Sequence, residues 1–217
     1  MKRPLSRTLF TALALLMIFS AQNAHAKEEI TGIKITPKSA AMLRTFGQAW
    51  INHIFWVRNV VMATKDGNTA AAKVAEENVV SNARQIAGAI KPFYGKKASD
   101  RLFELLAGHY KAIKAYMEAT FAKNRAAQNA AMRVMKKNVV EIADFLSAAN
   151  PKNWPRGEMI SALDAHVAYH MDQINQIAAN DYKAEAKTWQ DMENQVIDIA
   201  MVLGKGLIRQ FPKKFEH

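Results

Sequence analysis

The chain has 217 residues, half of them hydrophobic, with 30 Lys and Arg against 19 Asp and Glu, a formal net charge of +11 and no cysteine. That much apolar content excludes a disordered chain, and the missing cysteines exclude a disulfide-stapled scaffold. The length suits one domain with a full hydrophobic core.

The N-terminus reads as an export signal. Lys2, Arg3 and Arg7 form a positive segment, Leu9 to Phe19 is an apolar run, and Ala24-His25-Ala26 supplies the small-x-small cleavage pattern. The run is shorter than the about 20 apolar residues a membrane-spanning helix needs. Residues 1–26 are therefore expected to be removed, leaving no transmembrane segment and a periplasmic or secreted protein. They hold three basic residues and no acidic one, so the mature chain keeps 27 against 19, or +8. An exported basic protein favours anionic partners such as acidic phospholipid head groups or another polyanion, and not intracellular nucleic acid.

Residues 27–37 read as an extended arm ending at Thr36-Pro37. Beyond it, a single domain over 38–217 is dominated by helical periodicity. Breaks fall at Asp66-Gly67-Asn68, Pro92-Phe93-Tyr94-Gly95, Lys123-Asn124, Asn150-Pro151 with Pro155, Asn180-Asp181 and Pro212. They predict six helices over 38–65, 69–91, 96–122, 125–148, 156–178 and 181–210.

Self-comparison organises these six into three. His53, His109 and His166 each lie midway along the first helix of a pair. Fourteen residues on stand Gly67, Lys123 and Asn180. At offset 29 stand Asn82, Asn138 and Gln195, and at offset 32 Gln85, Glu141 and Asp198. At offset 33 the chain reads Ile86-Ala87, Ile142-Ala143 and Ile199-Ala200. Seven residues before each His stands Phe46, Leu102 or Met159, and eight after it Val61, Met117 or Ile174, which sets each His on or beside a buried stripe. The predicted fold is all-α: three tandem αα-hairpins over about 38–92, 96–149 and 155–211, closing into one bundle with approximate internal repeat symmetry. The chain is expected to be a monomer.

Several stretches carry a resemblance. His53-x-x-Trp56-x-Arg58 is one, Ile90 to Gly95 (IKPFYG) a second, and Leu102 to His109 (LxxLLxxH) a third. Asn138 to Leu146 (NVVEIADFL), Asn150-Pro151, Trp154-Pro155 and Gly206 to Pro212 (GLIRQFP) complete the set. Together they resemble a family of small, all-helical bacterial proteins, common in sporeforming soil bacteria and often labelled automatically as acetylglutamate kinase or glycosyltransferase. The resemblance covers nearly the whole mature chain and implies an all-helical fold and shared polar positions, but no established activity. Neither label fits the residues, since no Gly-rich phosphate loop on a βαβ unit and no sugar-nucleotide domain is present. The chain departs from its relatives in having an export signal, in His170 where they tend to have a hydroxyl residue, and in Gln85 where they tend to have an acid.

Two functional readings follow. In the first, basic residues bind an anionic surface: Lys91, Lys96, Lys97 and Arg101 cluster at the second turn, Lys111 and Lys114 follow, and Arg58 lies among aromatics. The plainer reading is a solvated basic face, with Arg58 lying over apolar neighbours. In the second, converging hairpins bring His53, His109 and His166 together with Asn82, Asn138, Gln195, Glu141 and Asp198. His170, one turn from His166, adds a further ligand. Such a set suits a divalent metal or a small ligand; the plainer reading pairs each His with the amide of its own hairpin. No nucleophile motif or di-iron Glu-x-x-His pair is present, which points away from an enzyme and leaves a divalent metal as the one cofactor to consider. An exported, non-enzymatic binding protein or secreted effector that engages an anionic partner is the leading expectation, and the core site the alternative.

Overall fold

The computed structural model describes Ile33 and residues 35–216. The leader assigned to residues 1–26 and most of the arm lie outside the described residues. From Thr36 the chain forms one unit of six helices. They are α1 (Pro37–Lys65), α2 (Thr69–Gly88), α3 (Lys91–Phe121), α4 (Arg125–Ala149), α5 (Arg156–Ala178) and α6 (Tyr182–Gln210), followed by a short 3-10 turn at Pro212–Phe215.

Local chemistry explains where each helix starts and stops. Thr36 caps α1 through a reciprocal pair with Ser39, and Pro37 takes the first helical position, where a missing N–H costs nothing. Within the hairpins one turn recurs. Gly67, Lys123 and Asn180 take positive φ (70, 52 and 59°), and the next residue, Asn68, Asn124 or Asp181, caps the following helix with its side-chain oxygen. The loop marker seen at offset 14 is thus the left-handed residue that reverses the chain. Gly95 (φ 82°, ψ 176°) separates a first turn at 91–94 from the rest of α3, so the regular helix begins at Lys96 as expected. The second helix stops three residues earlier than expected, at Gly88.

Each helix packs on its successor, and α6 returns to pack on α1, so the six close into a bundle. In addition α5 packs on α1 and α3, which sets first helices of the hairpins against each other. The apolar frame read from the sequence is the core: Phe46, Leu102, Met159, Val61, Met117 and Ile174 are all buried, as are the three Ile-Ala pairs. Among the described residues no helix is long and apolar enough to cross a membrane.

Two close approaches set the spacing. Gly206 on α6 lies where any Cβ would fall 2.1 Å from Trp154 Nε1, so the fully buried indole of the α4–α5 connection seats directly on the helix backbone. Asn150 adds a bond to the Gly206 carbonyl at 3.0 Å. Gly108 likewise lets Asn138 approach α3.

Candidate metal centre

The site begins with a bond made three times. Asn82, Asn138 and Gln195, on the second helix of each hairpin, donate their amide N–H to the carbonyls of Ala49, Leu105 and Ala162 at 2.9, 3.0 and 2.9 Å. Each carbonyl lies one turn before the hairpin's histidine. With the amide nitrogen committed to the helix backbone, the amide oxygen is left to accept. In the second hairpin it accepts from His109 Nδ1 at 3.0 Å, and in the third from His166 Nδ1 at 3.2 Å. In the first, Asn82 Oδ1 is buried without a partner.

An amide oxygen can only accept, so the proton of His109 and of His166 sits on Nδ1 and Nε2 carries the lone pair. This is the arrangement by which an outer partner orients a metal-binding imidazole. Against the lone pair of His166, His170 Nε2 lies at 3.1 Å and donates its proton. That leaves His170 Nδ1 as a bare acceptor, buried and unpartnered.

The four rings converge between α1, α3 and α5. His53 stands 5.6 Å from His166, 5.7 Å from His170 and 6.5 Å from His109 between centroids, and His109 stacks on His166 at 6.0 Å. Among the described residues, His53, His166 and His170 each offer one nitrogen, all within 4.8 Å of one another. Two nitrogens on a tetrahedral zinc-like ion lie about 3.3 Å apart, given metal–nitrogen distances of about 2.0–2.1 Å. The Nε2 atoms of His166 and His170 already have that spacing, and ligation by both requires the His170 proton to move from Nε2 to the unpartnered Nδ1. His53 would have to close by at most about 1.5 Å, which a side-chain rotation supplies. A cavity of about 20 Å³, bordered by His53, His109, His166 and Trp50, has room for one water-sized species.

All four imidazoles are neutral. Burial, reinforced by His109, lowers His53 to about 3, and burial lowers His109 to about 4 against the partial support of Asn138. His166 and His170 lie well below the ordinary histidine value, again first from burial and then from the neighbouring rings. Neutral imidazole is the ligating form.

The acids do not join them. The offset-32 positions face outward: Gln85 and Asp198 are exposed, and Glu141 is half-buried and 3.8 Å from Lys137. Three residues beyond a core amide places a side chain about 60° away around the helix, enough to carry it out of the interior. The expected carboxylate in the core set is thereby corrected; His53, His109, His166, His170, Asn82, Asn138 and Gln195 assemble, while Glu141 and Asp198 do not.

The anion-binding set is also redistributed. Arg58 holds an internal anion, donating from Nε and Nη2 to the two oxygens of buried Glu185 at 2.6 and 2.8 Å and lying over Trp189. Lys96 pairs with Asp100, Arg101 with Glu104 and Lys114 with Glu76. Lys91, Lys97 and Lys111 are exposed and have no ion pair among the described residues. Glu185, with Gln173 donating to it at 2.9 Å, was invisible to sequence reasoning, since it occupies a first-turn position where exposed acids are ordinary.

No family model, curated protein or solved structure matches the chain.

Proposed function

We propose that this protein binds a divalent transition-metal ion in the core of its bundle, with His53, His166 and His170 as ligands and His109 beside them. One observation carries the reading: three buried, neutral imidazole nitrogens lie within 4.8 Å of one another, and the amides of Gln195 and Asn138 fix the proton of His166 and His109 on Nδ1. An all-imidazole set without a carboxylate favours zinc, copper, nickel or iron over magnesium or calcium, which require oxygen ligands. It also leaves the ion's charge unneutralised in an apolar interior, so an open position would favour an anionic or strongly donating fourth ligand.

The basic-surface reading has less behind it. Four of its seven residues meet a carboxylate, and the other three supply only about 3 kcal/mol at an acidic membrane, at about 1 kcal/mol each.

The test is thermal melting with bound-metal analysis after exposure to zinc, nickel or copper, against magnesium and chelator controls. About one transition ion per chain and a melting temperature raised by several degrees are expected; an ion at 100 times its Kd stabilises by about 2.7 kcal/mol. Gln195→Leu, which removes the oxygen that orients His166 and the bond to the Ala162 carbonyl but no ligand, should weaken binding 10- to 100-fold. An unchanged melt and no retained metal would sink the reading.

A further inference from the structure

Above the histidines the bundle is hollow. A cavity of about 300 Å³ runs between all six helices, walled by side chains such as Phe46, Ile90, Leu102, Leu146, Met159 and Leu203. It shares Trp50, Ile86, Leu106, Ile142 and Leu163 with the small cavity bordered by His53, His109 and His166. The larger space therefore ends at the histidine cluster. Polar residues enter its lining at Glu158, Gln195 and Asp198, and the first and last of these are exposed.

Interiors pack at crystal density, and apolar walls left facing an unfilled, partly open space are a standing cost. An apolar cavity of about 150 Å³ stays dry and admits benzene, so about twice that volume accommodates a two-ring aromatic or a chain of about ten carbons. At the junction of the two cavities Trp50 lines both and is 6% exposed, contributing ring surface to the apolar wall.

We infer that the cavity binds a small apolar molecule of the size of a ten-carbon chain, lying among Ile90, Leu102 and Leu146. The occupant would lie next to the proposed metal centre, because the cavity ends at the histidine cluster. The assignment does not depend on the metal reading: apolar walls and volume stand without a metal.

The experiment titrates straight-chain carboxylates and alcohols of six to sixteen carbons into the whole protein by calorimetry, once after chelation and once after zinc addition. Binding should peak near ten carbons with a negative heat-capacity change, the mark of apolar burial. Leu106→Trp, at the junction, and Ala162→Phe, farther along the cavity wall, should each lower affinity at least tenfold while the melting temperature stays within a few degrees. Two variants at separate points guard against one that simply misfolds. Zinc retained without uptake of any chain would overturn this inference and leave the metal reading standing. Chain binding by a protein that retains no metal would do the reverse. Binding that ignores chain length and both variants would place the molecule elsewhere and also overturn it.

Discussion

Neutral buried histidines make the protein an acid-sensitive fold. His53 and His109 titrate at about 3 and 4 in the native state, and His166 and His170 also lie below the ordinary 6.5. Below pH 6.5 the unfolded chain takes up protons that the native core refuses. Native stability is therefore full above 6.5 and falls as pH drops toward 4, with each histidine contributing a slope of up to about 1.4 kcal/mol per pH unit. Urea melts at pH 7, 6 and 5 should show a loss of several kcal/mol, and His170→Phe should flatten it by about one proton's worth. Glu185 acts only lower. Burial pushes its carboxyl up, but the guanidinium of Arg58 and the amide of Gln173 outweigh that and hold it below the usual carboxylate value. A profile flat from pH 7 to 5 would mean that the four rings are not neutral and buried together.

At the scale of the element, the recurring turn is where stability has been left unclaimed. Lys123 takes the left-handed backbone that Gly67 takes freely and Asn180 takes at small cost. Lys123→Gly should stabilise the protein by about 0.5–1 kcal/mol, the relief of the Cβ clash less the extra entropy glycine loses on folding. Asn180→Gly should gain less. Thermal melts of the two variants side by side measure the difference, and destabilisation by Lys123→Gly would show that its side chain holds the turn in some other way. These turns were readable in the sequence because the left-handed position and its Asx cap are local chemistry. The sequence places the end of α2 at residue 91, because Ala89, Ile90 and Lys91 suit a helix well; the helix ends at Gly88, ahead of Pro92, and Gly95 interrupts the next helix.

Closure is decided over the whole molecule. Arg58 on α1 and Glu185 on α6 join the first helix to the last, with Gln173 on α5 sharing the carboxylate. Arg58→Met would leave a buried carboxylate short of its main partner, and such a loss costs about 3 kcal/mol. Replacing both, as Arg58→Met with Glu185→Leu, should recover most of it, since a buried ion pair contributes little beyond an apolar pair of like volume. A double-mutant cycle by urea unfolding separates the terms, and a single-variant loss under about 1 kcal/mol would show that closure rests on packing alone.

From the sequence by itself came the all-helical class, the six segments, the three-hairpin register and the positions of the core amides and histidines. These follow from periodicity, turn chemistry and self-comparison, all of which act within about 60 residues of chain. Only the tertiary structure decided which of those polar positions meet. Helix rotation turned Glu141 and Asp198 outward while His53, His166 and His170 came together, and packing across hairpins gave Arg58 an internal carboxylate. The cavity above the histidines is of the same kind. It is the space that apolar side chains on six helices leave unfilled, and no stretch of sequence contains it.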